Sequence, residues 1–139
     1  MILVDAGPLV ALFDPADADH TRCADLLRAI EEPLVSTIPA LTETFHLLAP
    51  ESIGGQALMD FIVDGGMSIT YLDDQSVGRA FELMVQYRDQ PMDFADASLV
   101  VAAETLRIRK VFTLDRHDFA SYRVKRGHRH YPLEIVGAR

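Results

Sequence analysis

The sequence predicts an α/β chain of three layers, α/β/α, with a central mostly parallel sheet. Three observations predict it. Short apolar runs, such as ILV at residues 2–4 and KVF at 110–112, have the length and composition of buried strands. Each run leads through a turn signal into a stretch of helical spacing, the alternation expected of strand–helix units. No Pro- or Gly-rich linker interrupts the 139 residues, so residues 1–139 are expected to form a single domain with its own hydrophobic core.

The elements follow in order. Ile2, Leu3 and Val4 form the first strand, and Asp5 ends it. Gly7 is expected to let the backbone turn, and Pro8 suits the first turn of a helix continued by Leu9, Val10, Leu12 and Phe13. Residues 17–32 read as an amphipathic helix with Cys23, Leu26, Leu27 and Ile30 on one face. Cys23 is expected to be a small buried hydrophobe. LVST at 34–37 is a second strand. Pro39 starts a helix to about residue 49, striped by Leu41, Phe45 and Leu48. Residues 51–63 are helical, loosened by Gly54 and Gly55 and closed by Gly65 and Gly66. SITYL at 68–72 is a third strand. Asp73 or Asp74 caps the next helix, whose apolar stripe includes Val77, Phe81, Met84 and Val85. A helix from near Asp93 through Leu106 would pack on the sheet with Leu99, Val100 and Ala103. KVFTLD at 110–115 repeats the opening pattern and ends at Asp115, with Asp118 three residues on. YRVKRGHRHYP is polar and basic with a turn at Gly127, and residues 133–136 form a final strand.

Composition narrows the function. The net charge of −8 argues against a protein that coats DNA. That charge is uneven: residues 1–115 carry 19 acidic and 7 basic side chains, whereas residues 116–139 carry 2 and 6. An acidic site with a basic rim from the C-terminal end would produce this split, as would a solvated acidic surface and a basic tail. No apolar stretch reaches the roughly 18–20 residues of a membrane span. Met1 leads almost directly into the first strand, which leaves no room for a cleavable leader. One cysteine permits no internal disulfide, so the expected setting is a reducing cytoplasm.

The acids are placed where chemistry happens in such folds. In an open parallel sheet, ligands bind outside the carboxyl ends of the strands. Asp5 and Asp115 both end apolar strands, while Glu43 and Asp96 lie near helix starts. Bland readings exist for the latter two. Glu43 suits a solvent-facing first turn, and Asp93 can cap a helix whose first turn Asp96 supports. If the four converge, their mutual repulsion calls for a cation. Oxygen ligands suit Mg²⁺ or Mn²⁺, ions that can activate water and stabilise both oxygens of a phosphodiester displacement. His117, His128 and His130 lack zinc-ligand spacing.

The ordered set ILVDAG, Glu43 after the second strand, MDFADASLV and FTLDRHDF resembles the PIN-domain ribonucleases, closest in style to VapC-type toxins of toxin–antitoxin pairs. The likeness runs from about Ile2 to Val136 and implies a PIN-like fold and a Mg²⁺- or Mn²⁺-dependent endoribonuclease. It implies Asp5, Glu43, Asp96 and Asp115 as the catalytic and metal-binding acids. Asp93 and Asp118 match auxiliary acids, and Thr113 matches a position whose hydroxyl helps hold the site. It also implies an RNA substrate, a homodimer and an inhibitory antitoxin. Arg116, Arg123, Lys125, Arg126 and Arg129 are candidate RNA contacts, or a solvated basic surface; Tyr122 and Tyr131 could stack on bases only if exposed. Two other readings remain from the residues: an inactive PIN-fold RNA- or protein-binding module, and an aspartyl-phosphate phosphatase using Asp5. The second lacks an acid two residues after Asp5.

Overall fold

A computed structural model describes residues 1–137; residues 138 and 139 of the domain expected over 1–139 lie outside the described residues. The chain runs β1 (Ile2–Val4), α1 (Ala6–Phe13), α2 (His20–Ala29), β2 (Leu34–Thr37), α3 (Ile38–Leu47), α4 (Ile53–Val63), β3 (Ser68–Thr70) and α5 (Asp74–Gln86). It continues with α6 (Phe94–Leu106), β4 (Lys110–Phe112), α7 (Arg116–Ser121), β5 (Arg123–Arg126), β6 (Arg129–Pro132) and β7 (Glu134–Val136). Strands β3-β2-β1-β4-β7 form one sheet in which every neighbouring pair is parallel. β5 and β6 form a separate antiparallel hairpin.

The continuous apolar strands follow from burial on both sheet faces. Successive side chains point to opposite faces, so β1 serves two cores. Leu3, Val35 and Val111 pack with Leu99, Val100 and Leu83 from α5 and α6. Ile2, Val4, Leu34 and Phe112 pack on the other side with Leu9, Cys23 and Leu58 from α1, α2 and α4. This is the three-layer α/β/α fold, and Cys23 is fully buried in it. Among the described residues no helix is long and apolar enough to cross a membrane.

The strand order sets the location of the site. From β1 the chain steps one way to β2 and β3, then returns to add β4 and β7 on the opposite side. The order reverses between β1 and β4, and the crevice outside strand ends at such a switch point is where α/β sheets bind ligands. Asp5 and Asp115 follow these two strands.

Several boundaries differ from expectation for local reasons. The second helix begins at His20 rather than 17 because Asp14 and Asp17 accept hydrogen bonds from Ala16 N and Asp19 N in turns that compete with helix. β3 stops at Thr70, where its pairing with β2 ends, and Tyr71 is exposed. In α5 Ala80 and Leu83 are buried and Met84 packs against the same core as expected, whereas Phe81 and Val85 of the expected stripe lie outward. Gly7 lies inside α1 without a positive φ, whereas Gly65 (φ 89°) and Gly127 (φ 64°) do make left-handed turns. The β5–β6 hairpin is not predicted by its sequence, because its strands are mostly basic or polar and apolar Val124 is their one buried residue. Its backbone is instead anchored at long range, by Lys125 N–H donating to Glu104 and Arg123 N–H donating to the Tyr87 hydroxyl.

Candidate active site

Asp5 leaves β1 in extended conformation and caps α1, its Oδ1 accepting from Ala6 N at 2.8 Å. Its Oδ2 accepts from Thr113 Oγ1 at 2.8 Å. The same hydroxyl accepts from Asp115 N at 3.0 Å, so Thr113 ties together the ends of β1 and β4. Thr113 is fully buried and Asp5 is 9% exposed. Burial pushes the Asp5 carboxyl up from its ordinary 3.8 to about 6; the Thr113 and Ala6 bonds oppose the rise, and the charges of Glu43 and Asp93 add to it.

Asp93 caps α6 with Oδ1 accepting from Asp96 N at 2.7 Å, as the bland reading of the pair expected. The capping reading holds, and Asp96 also lines the same pocket as the other acids. Asp96 Oδ2 accepts from the Tyr122 hydroxyl at 2.8 Å. Burial pushes Asp96 up to about 8; the Tyr122 bond opposes this, while Asp93, Asp5 and Asp115 add to it. Tyr122 is itself raised, by burial first and then by Asp96. Glu43, half-buried on α3, is raised by burial and by Asp93. Its helix is held against α6 by Thr37, the α3 cap, whose hydroxyl meets Ser98 Oγ at 2.6 Å. Asp115 caps α7, accepting from Asp118 N at 3.1 Å, and Asp118 is raised by burial and by Asp115.

These six acids line one pocket of about 450 Å³, with Gly7, Pro91 and Leu114 completing its walls. They come from the end of β1, from α3, from the start of α6, from the β4–α7 turn and from α7, and no basic side chain is among the lining residues. Among the described residues, no group of three or more His, Cys, Asp or Glu side chains is arranged so that it could hold a metal ion. The carboxylates share the pocket walls without closing into a ligand cage. The donor chemistry still fits a hard dication: every ionisable donor is a carboxylate oxygen, and four of the six are held protonated beyond their ordinary range by burial and by each other.

The basic candidates divide. Arg116 lies beside the acids across Asp115 and Leu114. Arg123 donates to the carbonyls of Ala120 and Tyr122 at the end of α7. Arg126, with Arg109, lies over the Tyr131 ring, at 6.0 and 5.2 Å from its centre. Lys125 and Arg129 are exposed on the hairpin, outside the acidic pocket. Tyr122 is fully buried, so it is no stacking platform; its role toward Asp96 had no signal in sequence, since the two residues are 26 positions apart.

Thr113→Val is expected to cost about 1–3 kcal/mol, because it leaves Asp5 Oδ2 and the Asp115 N–H without this partner. Thr113→Ser should keep most of the stability. Thermal unfolding of the pair checks this; equal melting of Val and wild-type proteins would mean the bridge holds nothing.

Comparison with known proteins agrees with the fold. Ribonuclease VapC26 of Mycobacterium tuberculosis is 28% identical over 125 residues, covering 88% of this chain and 92% of that protein. The crystal structure of M. tuberculosis VapC20, described as a sarcin–ricin loop cleaving toxin, superposes with a TM-score of 0.76 at 18% identity, over 85% of this chain and 92% of that one. A toxin–antitoxin complex from Klebsiella pneumoniae gives 0.67 at 16% identity, over 87% and 92%. At those identities the two structures speak for the fold. The PIN domain itself matches residues 2–125, which covers every acid of the pocket, and the chain belongs to the PIN-domain family as a homologue of the VapC-type toxins.

Proposed function

We propose that this protein is a metal-dependent endoribonuclease that hydrolyses RNA phosphodiester bonds, acting as the toxin of a toxin–antitoxin pair. The observation that carries the proposal is the meeting of Asp5, Glu43, Asp96 and Asp115, from four separate segments, in one pocket without a basic side chain. In this reading those four acids hold Mg²⁺ or Mn²⁺, with Asp93 and Asp118 as auxiliary acids and Thr113 fixing Asp5. The bound ion would supply Lewis-acid activation of water and relief of charge on the phosphate. Asp5 is held by two donors, one from Ala6 and one from Thr113, so its carboxylate is oriented before any ligand arrives. Asp96 is oriented through Asp93 below and Tyr122 above. Burial raises both carboxyls, Asp96 further than Asp5, so Asp96 is the one of the two that still holds its proton at neutral pH, and metal binding there would be favoured by rising pH.

The substrate assignment follows the ribonuclease relative, and the antitoxin follows the toxin–antitoxin relative. An antitoxin that presents a basic side chain to this pocket would relieve the same repulsion as the cation. A homodimer, a cytoplasmic setting and RNA contacts from Arg116, Arg123, Lys125, Arg126 and Arg129 belong to the same reading, as does a single domain over residues 1–139.

Incubation of purified protein with defined RNA pools, with and without Mg²⁺ or Mn²⁺, tests it. Cleavage that requires the ion supports the proposal; intact RNA in every condition overturns it. Tyr122→Phe keeps the ring, with its edge contacts to Tyr87 and Phe119, and removes only the donor to Asp96. The Mg²⁺ concentration for half-maximal cleavage should rise about 10–100-fold, the usual loss when a ligand's supporting hydrogen bond is removed. An unchanged Mg²⁺ requirement would remove Tyr122 from the site.

A further inference from the structure

A second pocket of about 390 Å³ adjoins the acidic one. Asp19, Arg22, Arg116 and His117 line it, and Leu114 and Asp115 form a wall common to both pockets. Nothing in the nuclease reading above uses Arg22. It lies in the first turn of α2, where a cation opposes the helix dipole. The start of that helix is held in place, because His20 Nδ1–H donates to the Ala11 carbonyl at 2.7 Å and Asp19 N–H donates to Asp17.

The guanidinium is poorly served by its neighbours. Its Nη2 approaches Asp19 Oδ1 only to 3.5 Å. Among the described residues, its Nε is the buried side-chain nitrogen or oxygen that finds no hydrogen-bond partner. A buried donor left unmade is costly, so such a group points to a ligand. Nε and Nη2 together form the edge of the guanidinium that binds two oxygens at once, the geometry matched by phosphate or carboxylate.

We infer that Arg22, with Arg116 and His117, forms a phosphate subsite that receives the RNA backbone phosphate next to the one held at the acids. The inference rests on the nuclease reading for its ligand. The position favours RNA: a strand whose scissile phosphate lies in the acidic pocket must leave it, and Leu114 and Asp115, which line that pocket, also line the one that holds Arg22 and Arg116. Asp19 and Asp115 carry the opposing charge there. Asp19 competes for Nη2 alone, and a turn of the guanidinium toward the pocket would bring the buried, unpartnered Nε to the incoming oxygen.

The test has two arms. In the first, the Arg22 Nε–Hε resonance is followed by NMR while inorganic phosphate is added to the metal-free protein, with acetate as a control. Arg22→Lys assigns the resonance by its loss. A phosphate shift larger than the acetate shift supports the subsite. No shift overturns it, and an equal shift with acetate makes the pocket a general carboxylate acceptor, suited to an acidic peptide, and overturns the RNA assignment. In the second arm, Arg22→Gln and Arg116→Gln are compared with wild type in RNA cleavage. KM should rise about tenfold with kcat held within about twofold. The slope of log KM against log salt should fall by about 0.7 for each single-strand phosphate that the variant no longer neutralises. Arg22→Lys should restore part of the KM, since it keeps the charge without the two-pronged edge. Unchanged KM and salt slope in variants that melt like wild type overturn the proposal. If no RNA is cut by the wild-type protein, the nuclease reading fails, and the phosphate titration still decides whether Arg22 binds phosphate.

Discussion

Asp5→Asn and Asp96→Asn are each expected to lower metal-dependent RNA cleavage by about 10³-fold or more while leaving the fold intact. The fold survives because the new amides can reuse the existing bonds. Asn at position 5 still accepts from Ala6 N, and its amide can donate to the Thr113 hydroxyl. Asn at position 96 still accepts from Tyr122. What each variant loses is a negative charge in a pocket lined by six carboxylates. The same loss removes repulsion, so both variants should melt higher than wild type at pH 8 without divalent ions. Activity loss together with raised metal-free stability separates a lost ligand from a damaged fold. Cleavage within tenfold of wild type in both folded variants would contradict the assignment of these acids.

The second large effect is on stability against pH. Asp5 is raised from 3.8 to about 6 and Asp96 to about 8. A carboxyl raised in the folded state holds its proton more tightly there than in the unfolded chain. Its contribution is therefore fully present below about pH 4 and is lost as pH climbs through the folded value. For Asp5 alone the change corresponds to about 3 kcal/mol. The metal-free protein should thus melt lower at pH 8 than at pH 5, most of the Asp5 share being lost by pH 7. Adding Mg²⁺ or Mn²⁺ should reverse the loss at pH 8, where ligands are deprotonated, and do little at pH 5, where protons compete. Melting curves across pH 5–8.5, with and without each ion, check both signs. A metal-free melting temperature that stays flat or rises over this range would contradict the buried-carboxylate account. A cation effect that survives in the Asp5→Asn, Asp96→Asn double variant would place the ion elsewhere.

Which parts of this were legible in one dimension depended on the range of the interactions. Ile2–Val4 was readable as a strand because burial on both faces favours a continuous apolar run, and Leu34–Thr37 because a short apolar start follows the break at Pro33. Caps at Asp93 and at Asp73 or Asp74 were readable because capping spans only three residues, and the structure settles the second on Asp73. The α5 stripe was misplaced in part because Phe81 and Val85 are apolar yet face outward, and only the packing partner decides which apolar side of a helix is covered. The β5–β6 hairpin is invisible to local pattern because its stability comes from Glu104 and Tyr87, far away along the chain, rather than from its own alternation.

By itself the sequence determined the alternating strand–helix order, which depends on residues close together in the chain, and the family likeness, which rests on an ordered set of short motifs; it offered the acids as candidates. Only the tertiary structure decided that those acids share one pocket, that Tyr122 serves Asp96, and that Arg22 stands across a common wall from Asp115. The physical reason is that strand order, not local pattern, chooses which turns become neighbours. With β1 beside β4, the Thr113 hydroxyl can reach Asp5 over a separation of 108 residues, a meeting for which neither segment carries a local signal.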